Sequence, residues 1–153
     1  MKILKPLSNK ISEKVQRWSE IKEEALELKA FLDAKEFEGN WKDAFAISHT
    51  QVSESPKVFF VVNKKKIRTF GHWCVINARI VKKEQPCTFS EGCMSFMYRS
   101  EKEVDRFAKI TVTYQTPLFN LFLIPRRRTF KEIDAFIVQH EVDHAAGINI
   151  YGL

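Results

Sequence analysis

Near the end of the chain, Gln139-His140-Glu141-Val142-Asp143-His144 holds two histidines four residues apart with a glutamate beside the first. On a helix that spacing stacks the two imidazoles on one face, so both can offer a ring nitrogen to one metal ion. Glu141 then lies within reach of a water held by that ion and can exchange a proton with it. A catalytic site of this kind takes three protein ligands and keeps one position open. The residues after His144, from Ala145 to Leu153, contain neither histidine nor glutamate. The third ligand must come from upstream, where His49, His72, Cys74, Cys87, Cys93 and the acidic residues are the candidates.

The helix that must carry these groups is legible in the apolar spacing. Ile133, Phe136, Ile137, His140 and His144 fall at i, i+3, i+4, i+7 and i+11, so both histidines share the stripe that faces the protein. Thr129, with Glu132 three residues on, has the capping-box spacing and predicts the helix start. Ile133, Phe136 and Ile137 lie one and two turns before His140, so they can form one wall of an apolar pocket. A first helix is predicted from about Ser19 to Lys35, with Ile21, Ala25, Leu28 and Leu32 as its buried stripe. Between the helices the sequence is strand-like. Lys57 to Val62 is apolar, β-branched and aromatic, as for a strand buried on both faces. His72 to Asn77 with Ile80-Val81 forms another. Ile110 to Tyr114 alternates with period two, and Leu118 to Ile124 returns beside it as a hairpin ending at Pro125. The expected class is α+β: mostly antiparallel sheets packed around the histidine-bearing helix.

Neither a repeat nor a Pro/Gly-rich linker divides the 153 residues, which predicts a single domain over 1–153. With 44% hydrophobic and 29% charged residues the composition is that of a globular chain, not a disordered one. No apolar run approaches the ~20 residues that span a bilayer, and the lysine-rich start lacks a secretory core. A cytoplasmic protein with no membrane partner is expected. Three cysteines make an odd count without framework spacing, which argues against a disulfide scaffold. The net charge of +6 permits attraction to an acidic partner such as RNA. Its densest clusters, Lys64 to Lys66 and Arg126 to Arg128, lack an aromatic-interleaved pattern and read as solvated loop ends, with no specific nucleic-acid motif. His49 reads as a solvent-facing or locally bonded loop residue.

Glu91-Gly92-Cys93-Met94-Ser95 places a cysteine after a glycine, a residue that lets backbone approach a site closely. Together with Gln139 to His144 this resembles the peptide deformylases, whose two motifs read E-G-C-L-S and Q-H-E-x-D-H. The first is present with Met for Leu at 94, the second in full. Val104-Asp105-Arg106 and Val75-Ile76-Asn77 resemble further family segments, the latter followed by Ala78 in place of proline. The family's remaining motif, G-x-G-L-A-A-x-Q, maps onto Ala44 to Gln51 with both glycines replaced, by Ala44 and Ala46, and the glutamine kept. Each replacement adds a methyl group near the implied substrate path and removes access to φ > 0.

The resemblance implies hydrolysis of the N-terminal formyl group of formylmethionyl peptides, with release of formate. It implies that Cys93, His140 and His144 hold one divalent ion, Fe(II) or Zn(II), which lowers the pKa of its water. Glu141 would take the water proton and return it to the leaving amine. The Gln51 side-chain amide and the Met94 backbone N–H would donate to the oxyanion. Phe45 and Ala46 would face Ile133, Phe136 and Ile137 across the methionine pocket. Arg106 is expected to pair with Asp143 and support the ligand helix. The implied partners are nascent formylmethionyl peptides and the ribosome. The short tail after the metal helix suggests a compact, phage-type form without the C-terminal segment common in bacteria. Two other readings remain at this point: a catalytically impaired relative that binds formylated peptide or ribosome, and a general metallopeptidase. The upstream cysteine disfavours the second, since such peptidases ligate through His or Glu.

Overall fold

The computed structural model describes residues 10–35, 45–67, 70–93 and 100–152, so the expectations at Ala44 and Met94 lie outside the described residues. Two helices, α1 (Lys22–Lys35) and α2 (Glu132–Ala145), accompany strands β1 (Ala46–Ser48), β2 (Phe59–Val62), β3 (Cys74–Glu91), β4 (Lys102–Leu118) and β5 (Phe122–Lys131). The strands form one five-stranded sheet in the order β1-β2-β3-β4-β5, with every neighbour antiparallel. The α+β class is as expected, and among the described residues the strands form one continuous sheet.

The apolar run of the second strand explains how the sheet is covered on both sides. Phe59 and Val61 point into a cluster with Ile21, Ala25, Leu28 and Leu32 of the first helix. Phe60 and Val62 point the other way, into a cluster with Ala135, Ile137 and Val138 of the last helix. Period-two alternation thus feeds two cores, one per face, and both sets must be apolar. Six consecutive residues of α2, Asp134 to Gln139, are buried, so that stretch of the helix is enclosed on all sides. No helix among the described residues is long and apolar enough to cross a membrane.

Three elements depart from the sequence-based expectations. β3 does not stop near Val81 but runs to Glu91, through Lys82-Lys83-Glu84-Gln85-Pro86. Those residues lack a strand pattern; they are extended because they pair with β4. The Pro86 ring is tolerated because β2 pairs only with Cys74, Val75 and Ile76, which leaves that flank of β3 open. β5 likewise continues past Pro125 through the arginines to Lys131, at the edge of the sheet. Thr129 is therefore not a helix cap. Its hydroxyl lies 3.2 Å from that of Thr111 across the ladder, and the residue preceding α2 is Lys131, with no side-chain cap. The corner is made by Glu132 at φ 53°, a left-handed conformation that costs a non-glycine residue on the order of 1 kcal/mol. Strand pairing outweighed the local capping signal there.

Candidate metal centre

The two histidines reach the site because α2 is docked on β4 by the glutamine that precedes them. β5 makes its last pair with β4 at Lys131 and Lys109. Two residues further along β4, the Gln139 amide takes over: its oxygen accepts from the Phe107 N–H at 2.9 Å and its nitrogen donates to the Phe107 carbonyl at 2.8 Å. A side chain thereby satisfies backbone groups that the missing strand would leave exposed. This role of Gln139 has no signature in the local pattern, because its partner lies 32 residues away.

With the helix fixed, the expected ligands converge. Donor atoms of Cys93, His140 and His144 all lie within 4.8 Å of one another, and Cys93 Sγ is 3.5 Å from His144 Nε2. The two imidazole rings stand nearly perpendicular, at 86°, with centroids 4.5 Å apart. Each ring is oriented through its other nitrogen. His140 Nδ1 lies 2.7 Å from Glu91 Oε1, and His144 Nδ1 lies 3.3 Å from the Ile148 carbonyl oxygen. Both Nε2 atoms are left for the cluster.

Glu91 is the residue that sequence reasoning missed. It ends β3 two residues before Cys93, and its carboxylate accepts from Arg106 twice, at 2.7 and 2.9 Å, as well as facing His140. Arg106 Nη1 reaches Asp143 Oδ2 at 2.7 Å, so the expected pair exists as part of a longer chain, Asp143–Arg106–Glu91–His140. Its partners lie 15 and 49 residues away, so nothing in its own segment announces the role. Burial opposes the charge on Glu91, but hydrogen bonds from Arg106 and His140 outweigh it and hold the carboxyl below its usual range. Burial also opposes charge on His140, yet its contacts with Cys93 and Glu91 raise it to about 10. Burial and the neighbouring His140 push His144 well below its usual value.

Glu141 is 5% exposed, and its Oε2 has no hydrogen-bond partner among the described residues. Burial raises its pKa to about 7, the range in which a carboxyl both takes and gives a proton near neutrality. The site fits a divalent ion on these grounds. A thiol and two Nε2 atoms form a three-donor set, and beside them lies a buried carboxyl oxygen with an unmet hydrogen-bonding need.

Gln51 sits in a short 3-10 turn, His49–Gln51, where its side-chain oxygen accepts from the backbone N–H of the Ser48 cap at 2.9 Å. The side-chain nitrogen consequently faces the site and approaches Cys93 Sγ at 3.8 Å. His49 is not solvent-facing but 1% exposed: it stacks on Phe59 at 4.7 Å, accepts from the Lys57 N–H and lies 2.5 Å from Glu24 of α1. The turn carrying Gln51 is pinned by a residue that looked peripheral. Ala46 lies in a strand with its methyl group packed in the core, so φ > 0 is not needed there. At Gly92, φ is not positive and an added Cβ would meet only Glu101 Cγ, at 3.6 Å, so among the described residues nothing demands a glycine.

Of the expected pocket residues, Phe45, Ala46 and Ile137 share one apolar cluster, and Phe136 stacks on Phe89 with ring centroids 4.3 Å apart. Ile133 is 40% exposed, in the first turn of the helix before it enters the protein, and so does not belong to the buried stripe. Tyr151, which drew no attention in the sequence, packs against Cys93 and donates its hydroxyl to the Ser100 carbonyl at 2.6 Å.

A family model described as polypeptide deformylase matches residues 1–152. A peptide deformylase of Clostridium beijerinckii is 39% identical over 92 residues, covering 57% of this chain and 62% of that protein. Among solved structures, the deformylase of the Vibrio parahaemolyticus bacteriophage VP16T, in complex with actinonin, superposes with a TM-score of 0.78 at 27% identity, covering 98% of this chain and 100% of that one. The Thermotoga maritima peptide deformylase shares the fold, with a TM-score of 0.77 at 22% identity over 98% of this chain and 94% of that one.

Proposed function

This chain belongs to the polypeptide deformylase family, and on that premise we propose that it hydrolyses the N-terminal formyl group of formylmethionyl peptides, releasing formate. The observation that carries the proposal is the convergence of Cys93, His140 and His144 donors within 4.8 Å beside the buried, unpartnered Glu141 oxygen. Cys93, His140 and His144 would hold one divalent ion, Fe(II) or Zn(II). Such an ion supplies Lewis-acid polarisation and water activation near neutral pH.

The remaining work falls to the chain itself. Glu141, with a pKa of about 7, takes a proton from the attacking water and delivers it to the departing amine. The Gln51 amide nitrogen, held toward Cys93 by its own carbonyl bond to Ser48, donates to the oxygen that gains charge. The Met94 N–H is assigned the companion donation. Glu91 fixes the His140 ring, and Arg106 keeps Glu91 ionised. Phe45, Ala46, Phe136 and Ile137 would receive the methionine side chain, with Ile133 at the rim. The substrates would be nascent formylated chains, met in the cytoplasm with the ribosome as a partner.

The test pairs two substrates. Anaerobically prepared, metal-analysed protein is expected to release formate from a formyl-Met tripeptide and to leave unformylated peptides intact. Cleavage of the unformylated peptides would favour the metallopeptidase reading instead; peptide binding without formate release would favour an impaired relative.

A further inference from the structure

The arginines of β5 do not lie on a loop. Arg79, Thr113 and Arg127 are direct cross-strand partners on β3, β4 and β5, so they form one row on one face of the sheet. Lys14, from the segment before the first helix, joins Arg79, Arg126 and Arg127 around an open cleft of about 700 Å³, floored by Thr113 and Gln115. No carboxylate lines this cleft. None of its four cations is ion-paired among the described residues.

Charge on β5 has an obvious structural use, because an edge strand without it invites pairing with other chains. That use extends to Arg79, whose flank of β3 beyond Ile76 is open, but not to Lys14, which is in no strand. Lys14, Arg79 and Arg127 come from three separate segments and line one cleft, a grouping that guarding a strand edge does not require. The cleft is open and its cations are exposed, which suits a backbone of successive phosphates better than one enclosed anion. Thr113 and Gln115 add uncharged hydrogen-bonding groups of the kind that meet ribose hydroxyls. Four residues beyond Gln115 on the same hairpin, roughly 13 Å at strand spacing, Phe119 presents an aromatic ring that is 81% exposed.

We propose that this cleft binds the phosphodiester backbone of single-stranded RNA, with Lys14, Arg79 and Arg127 on the phosphates and Phe119 stacking a base. The site is distinct from the metal centre: Thr113 lies seven residues along β4 from Arg106, roughly 24 Å of extended strand.

The test is fluorescence anisotropy of the full, metal-loaded chain with a labelled oligouridylate of about 20 nucleotides across a salt series. Binding is expected to weaken steeply with salt. The double variant Arg79→Gln, Arg127→Gln should bind about tenfold more weakly or worse, and its log–log salt slope should be shallower by about 1.4. The matching Arg→Lys pair should keep the slope, and formate release should be unchanged in both. A control pair on α1, Lys22→Gln with Lys29→Gln, removes equal charge elsewhere and should leave binding intact. The proposal is overturned if the control pair weakens binding equally, if the cleft variant binds as the parent does, or if oligothymidylate DNA or inorganic phosphate competes as well as RNA. Aggregation of the Gln pair with undiminished RNA binding would likewise overturn it and leave the arginines as guards of the sheet edge.

Discussion

Arg106 and Arg127 hang from the same antiparallel ribbon, in opposite conditions. Arg106 is 5% exposed and holds two carboxylates through three hydrogen bonds, each 2.9 Å or shorter. Arg127 is exposed, opposite Thr113, with no carboxylate paired to it among the described residues. A buried guanidinium must be matched group for group, because desolvating an unpaired charge costs several kcal/mol. Once matched it is rigid, and here it passes that rigidity through Glu91 to the ring of His140. The exposed arginines keep their hydration and their long-range field, which is what a diffusing polyanion meets first. One residue type thus organises a site at one end of the sheet and advertises a surface at the other.

Substitutions that separate these two conditions should differ in size. Largest is Glu141→Gln, which removes the proton-transferring group while preserving shape. Formate release should fall by roughly 10²–10⁴ with metal content unchanged by elemental analysis. Arg106→Met comes next, since it strands Glu91 and Asp143; denaturant unfolding should show a loss of about 3–5 kcal/mol. Glu91→Gln keeps the volume but weakens the orientation of His140, so competition with a chelator should report metal affinity lower by about 10–100-fold. Arg127→Gln closes the series: its unfolding free energy should stay within about 0.5 kcal/mol of the parent. Comparable destabilisation by Arg127→Gln and Arg106→Met would abolish the distinction between the two ends.

Much of this was legible where a residue pattern reports one local cause. The stripe Ile21, Ala25, Leu28, Leu32 predicted a buried helix face, and each is 2% exposed or less. The run ending Phe59-Phe60-Val61-Val62 predicted a strand covered on both sides, and two separate cores cover it. The spacing of His140 and His144 predicted converging imidazoles, and Cys93 joins them. What stayed hidden depends on partners distant in sequence. Lys82 to Pro86 is strand only because β4 lies alongside, and Thr129 is strand because Thr111 faces it. Glu91 has no visible purpose until folding brings Arg106 and His140 to its two oxygens. His49 read as solvent-facing or locally bonded, and the partners of its two ring nitrogens, the Lys57 backbone and Glu24 of α1, lie 8 and 25 residues away. The arginine run read as a loop end because nothing in its own segment shows that Arg79 and Lys14 lie beside it.

Cys93, His140 and His144 are proposed to hold a single ion whose chemistry passes through Glu141. Chelator-stripped protein titrated anaerobically with Fe(II) or Zn(II), with formate release followed at each addition, tests it most directly. Activity should return in proportion to added metal and level off at one ion per chain, while Glu141→Gln takes up the same ion and stays inactive. Formate release that survives stripping, or a Glu141→Gln variant that regains parent activity on reloading, would contradict the account.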